Sequence, residues 1–288
     1  MKDFFGYAGK RVIVDGAASG MGLAATKVLV ELGAEVYALD WKDVPAEGIK
    51  KYIHVDLRDK DSIDAGLAQV PGKVDSLFCC AGLPGKPFPE FDVFMVNFIG
   101  HRHLIESMIP RMNEGSAISF ISSVAGLGWK ENFAKIKPML DTRSFEEAKA
   151  WLEAHPEFIV PRGYGPSKQC TTAYVMTKAE ELARKGLRIN VLSPGSTATP
   201  ILANFIDIGG KDRIDYWTVN GRYATPEEMG EPMVFLNSNM ASYISGFDLV
   251  VVNARLAGDM IDQLEKTGKY GGPGALSPKP KYETEQKS

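Results

Sequence analysis

The stretch VIVDGAASGMGLAATKVLVELG, residues 12–33, decides the fold. It opens with an apolar β-branched run, the pattern of a strand buried on both faces of a parallel sheet. Further on, Met21, Ala25, Val28, Leu29 and Leu32 fall at three- and four-residue steps, and Gly33 sits where a helix C-cap belongs. Between the two patterns lie Gly16, Gly20 and Gly22, with Ser19 and Met21 in the same turn. Glycines there let the backbone approach a pyrophosphate, whose charge the helix N-terminal amides hold. The spacing alone is weak in a chain with 29 glycines, but a strand precedes it, a helix follows, and Asp40 closes a second apolar run. A carboxylate at that point accepts hydrogen bonds from ribose hydroxyls and repels a 2′-phosphate. Only Trp41 and Lys42 adjoin Asp40 on its C-terminal side, with no arginine, which favours NAD over NADP.

Outward from this stretch the rhythm repeats. Strand-like runs occur at residues 11–14, 35–39, 51–55, 76–80, 117–122, 188–192 and 247–252. Helical periodicity marks 61–69, 93–112, 166–185 and 226–236. Such βαβ alternation predicts a doubly wound α/β fold of Rossmann type, a parallel sheet of about seven strands with helices on both faces. Residues 1–264 read as one domain. A segment at 129–161 interrupts the rhythm as a substrate-side insertion, and within it Ser144 and Glu147 have capping-box spacing. Residues 265–288, rich in Gly, Pro, Lys and Glu, read as a flexible polar tail.

Composition narrows the function. The net charge of −3 and pI near 5.9 give no reason to expect nucleic acid. No apolar run approaches the ~20 residues that span a bilayer, and the N-terminus lacks a signal peptide's apolar core. Three cysteines, two of them adjacent, form neither a disulfide framework nor a metal site. A cytoplasmic protein with reduced thiols is the expectation.

The stretch RGYGPSKQCTTAYVMTKAEELARKG, residues 162–186, holds two Tyr-x-x-x-Lys pairs, Tyr164/Lys168 and Tyr174/Lys178. Such a pair arises by chance in a chain with 10 tyrosines, so its surroundings must decide. Proline is tolerated only in a helix's first turn, so Pro166 starts a helix there. Tyr164 and Lys168 then lie at its mouth, where the macrodipole favours an anion. Tyr174 lies deep inside the helix, turned about 80° from Tyr164 at 100° per residue, and reads as packing. Free tyrosine titrates at about 10, so only about one in a thousand is ionised at pH 7. Making it a base near neutrality requires roughly 4 kcal/mol of preference for the phenolate. A nearby ammonium, a cofactor charge and a helix N-terminus are the expected sources.

Taken together, Gly16-x-x-x-Gly20-x-Gly22, Asp40, Ala81-Gly82, Asn97, Ser122-Ser123, Tyr164-x-x-Ser167-Lys168 and Pro194-Gly195 before Thr199-Pro200 resemble the short-chain dehydrogenase/reductase family. They stand in the family's order over roughly residues 8–258, and the chain looks especially like its bacterial 3α-hydroxysteroid dehydrogenase/carbonyl reductase branch. The resemblance implies Tyr164 as general acid/base and Lys168 as the group that lowers its pKa and holds the nicotinamide ribose. It implies Ser123 as a hydrogen-bond partner of the substrate oxygen, and Asn97 as the residue that kinks its helix and anchors a water. Asp56 and Leu57 would contact adenine, Ala81 and Gly82 would run along the cofactor, and Pro194, Thr197 and Thr199 would hold the carboxamide end. Where the family usually carries Thr and Asn-Asn-Ala-Gly, this chain has Asp15 and Cys79-Cys80-Ala81-Gly82. Asp15 would place a carboxylate near the pyrophosphate. Where the last strand commonly ends in Asp-Gly-Gly, this chain has Asn253-Ala254-Arg255.

His101 and His103 diverge by about 200° on a helix and do not make a metal pair, so no metal is expected. Apolar residues after Thr199, namely Ile201, Leu202, Phe205, Ile206, Tyr216 and Trp217, should form a hydrophobic cleft with the 129–161 segment. The expected activity is NAD(H)-dependent interconversion of a hydrophobic secondary alcohol, such as a steroid, and its ketone. Alternatives are a reductase or epimerase of small polar or sugar-like substrates, and a non-catalytic dinucleotide-binding protein. The resemblance also implies a homodimer or homotetramer.

Overall fold

The structure is a computed structural model, and it describes residues 3–269. Seven parallel strands form one sheet in the order β3-β2-β1-β4-β5-β6-β7. They are β1 (Arg11–Asp15), β2 (Glu35–Asp40), β3 (Lys51–His54), β4 (Val74–Cys79), β5 (Met112–Ile121), β6 (Arg188–Pro194) and β7 (Asp248–Val251). The order reverses between β1 and β4, and in such sheets the crevice beyond the strand C-termini at that reversal is where ligands bind.

Helices cover both faces. One layer holds α1 (Gly20–Glu31) and α10 (Glu227–Asn237), which pack with Val12, Val14, Ala38 and Phe78. The other holds α2 (Lys60–Ala68), α4 (His101–Met108), α5 (Phe133–Leu140), α6 (Phe145–Ala154) and α7 (Tyr164–Ala183) over Ile13, Leu39, Leu77 and Phe120. The remaining helices are α3 (Glu90–Phe94), α8 (Leu202–Gly209), α9 (Lys211–Asp215) and α11 (Arg255–Thr267). Because both faces are covered, the strands read as unbroken apolar runs. Of the 265–288 tail, Glu265–Thr267 complete α11, and everything from residue 270 lies outside the described residues.

Two elements differ from the sequence reading. The single helix expected at 93–112 is α3, a π-helical segment Met95–Gly100, α4 and a 3-10 turn Ile109–Arg111, after which β5 begins five residues early at Met112. A π segment widens the helix by a residue per turn, which periodicity of apolar residues cannot reveal. It is packed tightly, for a Cβ added at Gly100 would lie 2.1 Å from the Leu57 carbonyl oxygen.

The 129–161 segment carries two helices, α5 and α6, whose apolar faces turn to the core. Ser144 Oγ accepts from the Glu147 amide at 3.1 Å, as the capping-box spacing predicts, while the Glu147 carboxylate accepts from Arg143 N at 2.8 Å. Its apolar residues Ile136, Met139, Phe145 and Leu152 are consumed by the core on the α7 side, and none of 129–161 lines the cavity described next. The buried Arg102 guanidinium pins the segment, donating to the Met139, Thr142 and Ser144 carbonyls.

Candidate active site

A cavity of about 690 Å³ opens at the C-terminal ends of the strands, at the sheet's reversal point. Gly16, Ser19, Gly20, Met21, Asp40, Asp56, Leu57, Ala81, Gly82, Ser123, Tyr164, Lys168, Pro194, Thr197 and Thr199 all line it. Gly22 and Asn97 lie just behind the wall. Ile206 is not part of the lining, whereas Ile201, Leu202 and Phe205 face the cavity with Trp217. Tyr216 stacks edge-on against Trp217 at 5.3 Å and lies outside the lining.

The glycine turn is shaped for close approach. Gly16 has φ of +73°, and a Cβ there would lie 2.3 Å from Ala81 N. A Cβ on Gly22 would lie 2.2 Å from Gly16 O. Ser19 at the N-cap makes no side-chain cap, so the first-turn amides of α1 stay available for an anion. Asp40 is fixed by accepting from Ala18 N and Lys42 N, each at 2.9 Å, and burial pushes its carboxyl up despite those bonds. This cradle, with a carboxylate at the end of β2, fits a dinucleotide.

The second half of the site hangs on α7. Pro166 occupies its first turn, as required, and the helix begins at Tyr164 itself. Tyr164 lines the cavity beside Ser123, whose hydroxyl pulls the phenol's pKa down slightly and is itself held by the Ala125 amide at 3.2 Å. Its ring meets Phe205 of α8 edge-on at 5.0 Å. Lys168 Nζ donates to Ile121 O at 2.9 Å and lies 5.8 Å from the Tyr164 ring centre. Asn97, in the π segment, accepts from Leu83 N at 2.8 Å, donates to Leu83 O at 3.0 Å and reaches Ser167 Oγ at 3.3 Å. Tyr174 is buried packing, its hydroxyl donating to Glu106.

The electrostatics differ from the sequence expectation in sign. Burial pushes the Tyr164 phenol up to about 12, against a smaller opposing pull from the Ser123 hydrogen bond. Burial pushes Lys168 down to about 7. Lys168 is buried and Tyr164 half-buried, so each resists its charged form, and Lys168 alone does not make Tyr164 a base. The protein by itself holds a neutral phenol beside an amine that titrates near neutrality.

Asp15 answers to a partner 86 residues away. The Nε2 of His101 lies 2.7 Å from Asp15 Oδ2, and both side chains are buried. A carboxylate only accepts, so this contact assigns the ring proton to Nε2. The same oxygen takes a longer bond from Ala81 N at 3.4 Å. The expected stray carboxylate near the glycine turn is thus a paired one. His103 pairs separately with Asp64 at 2.7 Å. Sequence reasoning weighed these histidines only as metal ligands, because nothing local to residue 101 points to residue 15.

Comparison with known proteins agrees with this geometry. Residues 10–134 match the protein-family profile for short chain dehydrogenase, and residues 155–253 match the profile described as Enoyl-(Acyl carrier protein) reductase. The chain belongs to the short-chain dehydrogenase/reductase family. Within it, the chain is 31% identical over 244 residues to a 3-alpha-hydroxysteroid dehydrogenase/carbonyl reductase of Comamonas testosteroni, covering 83% of this chain and 94% of that one. It is 30% identical over 246 residues to a coniferyl-alcohol dehydrogenase of Pseudomonas sp. strain HR199, covering 84% and 94%. Among solved structures, the 3-alpha-hydroxysteroid dehydrogenase of Pseudomonas sp. B-0831 complexed with NADH superposes with a TM-score of 0.69 at 25% identity, over 90% of this chain and all of that one. The chain is thus an oxidoreductase by family, with alcohol and steroid dehydrogenases among its relatives.

Proposed function

We propose that this protein is an NAD(H)-dependent dehydrogenase that interconverts a hydrophobic secondary alcohol and its ketone, with Tyr164, Ser123 and Lys168 as catalytic residues and Asn97 behind them as a positioning residue. The observation that carries it is the convergence of Tyr164, Ser123 and Lys168 in one glycine-lined cavity, with Lys168 Nζ 5.8 Å from the Tyr164 ring centre. In the reducing direction Tyr164 gives its proton to the carbonyl oxygen, while the Ser123 hydroxyl steadies the same oxygen. The neutral phenol suits this acid role directly. In the oxidising direction Tyr164 must take a proton, and the charge on Lys168 lowers the cost. A bound nicotinamide supplies the hydride donor or acceptor. Gly16, Ser19, Gly20, Met21 and Gly22 would hold the pyrophosphate, and Asp56, Leu57, Ala81 and Gly82 would flank the adenosine half. Pro194, Thr197 and Thr199 would meet the carboxamide. Asp40 favours the cofactor without a 2′-phosphate.

The apolar wall of Phe88, Ile201, Leu202, Phe205 and Trp217 supports a hydrophobic substrate of steroid or aryl type. Among the described residues no helix is long and apolar enough to cross a membrane. A cytoplasmic setting and a homodimer or homotetramer belong to the same reading. Exposed Tyr243 and Phe247 near the edge strand β7 offer apolar surface for assembly. The test is Tyr164→Phe. Turnover of secondary alcohols should fall at least about 1,000-fold while NADH affinity, followed by fluorescence titration, stays within about twofold. Retained turnover rejects the assignment.

A further inference from the structure

The cavity mouth carries charge that the proton chemistry above does not use. Arg162, two residues before Tyr164, and Arg213 in α9 both line the cavity, and both are exposed at its rim. Its lining carboxylates, Asp15, Asp40 and Asp56, all sit at or just beyond the C-terminal ends of β1 to β3, on the cofactor side. Arg162 donates to the Ile208 carbonyl at 3.1 Å, which ties it to α8. Among the described residues neither guanidinium has a carboxylate within ion-pairing distance, and the Arg213 guanidinium makes no hydrogen bond. Some other arginines find acids, as Arg58 holds Asp56 and Asp92 and Arg222 holds Glu228, while Arg102, Arg111 and Arg188 are saturated by backbone carbonyls. The charged form of Arg213 is instead disfavoured, first by partial desolvation at the mouth and then by repulsion from Arg162.

Arg162 bonds the Ile208 carbonyl and Arg213 Cδ lies 3.5 Å from where a Cβ on the adjacent Gly209 would stand, while the nearby Glu90 carboxylate accepts from Gly163 N at 2.6 Å and pairs with neither guanidinium. Two like charges on the same stretch of rim are stabilised by an anion that bridges both. We propose that Arg162 and Arg213 form an oxyanion subsite, so that the substrate is a hydrophobic alcohol or ketone bearing a carboxylate or phosphate ester at the end remote from the reacting carbon. This rests on the dehydrogenase reading only for the reacting carbon. The subsite itself is a binding property and is tested without turnover.

The probe is a cycloalkyl-alkanoic acid with no hydroxyl or ketone, compared with its methyl ester and with the phosphate ester of the matching alcohol. Affinities are read by calorimetry and tryptophan fluorescence, with the protein alone and with NADH. The acid or the phosphate ester should bind at least about tenfold tighter than the neutral ester at low salt, a modest value because the rim is solvated. Arg162→Gln/Arg213→Gln should erase that preference and leave the neutral ester within about twofold. The single Arg213→Gln, on an exposed side chain, should lose most of it and guards against misfolding. Whichever anion gains more identifies the source, and a gain for either supports the subsite. Neither anion binding tighter than the neutral ester, or a preference that survives both substitutions, overturns it. Selective anion binding by a protein that oxidises no secondary alcohol would retire the proposed reaction and leave the subsite standing.

Discussion

Replacing His101 with alanine should be among the most damaging single changes outside the catalytic residues. Asp15 is 1% exposed, and its 2.7 Å bond to His101 is its short one. The Ala81 amide at 3.4 Å cannot take over that role. Removing the imidazole leaves the Asp15 carboxylate as an uncompensated buried charge, at a cost of about 3–5 kcal/mol. Unfolding entropy of about 2.1 cal/mol/K per residue gives roughly 0.6 kcal/mol/K for a chain of 288 residues. His101→Ala should therefore lower Tm by about 5–8 °C, followed by circular dichroism without cofactor. The imidazole also packs on Phe120 at 4.7 Å between ring centres, so a cavity contributes to the loss. Adding Asp15→Asn separates the two causes. If the stranded carboxylate dominates, the double variant should regain more than half of the lost Tm; if the hole dominates, it regains nothing. A single variant within about 1 °C of the parent, or a double no better than the single, refutes the electrostatic account.

Lys168→Met should alter the pH dependence of stability in a known direction. Lys168 titrates at about 7 when folded, against an ordinary value of 10.5, so between these values the unfolded chain binds the extra proton. The parent's stability relative to the variant should rise with pH across that window, by at most about 1.4 kcal/mol per pH unit; a flat difference contradicts it. Asp40→Ser should shift the NADPH/NADH affinity ratio at least about tenfold toward NADPH in fluorescence titrations, and an unchanged ratio would disconnect Asp40 from the ribose. Gly22→Ala would force a Cβ to 2.2 Å from Gly16 O. Cofactor affinity should fall more than about tenfold with a loss of a few degrees in Tm, and parent-like values for both would show that the turn yields.

The parallel sheet was legible because strands buried on both faces must be apolar throughout, and Arg11–Asp15 and Glu35–Asp40 read that way. Pro166 fixed the start of α7 to within two residues through its missing amide hydrogen. What escaped is non-local. The Asp15–His101 bond joins residues 86 positions apart, and the widened turns around Asn97 keep an apolar pattern that passes for an ordinary helix. The apolar face of the 129–161 segment packs on the core, which its sequence does not reveal, because amphipathicity shows that a helix has a buried side and not what covers it. The Tyr164 phenol was expected to be acidic from its neighbour's charge, and the degree of enclosure that reverses this is a property of the folded chain alone.

Gly100 ties two distant places into one lever. It rests against the carbonyl of Leu57, and three residues earlier Asn97 grips both backbone polar groups of Leu83. A methyl group at position 100 would wedge the loop and the helix apart, and the same displacement would lift the amide that steadies Leu83.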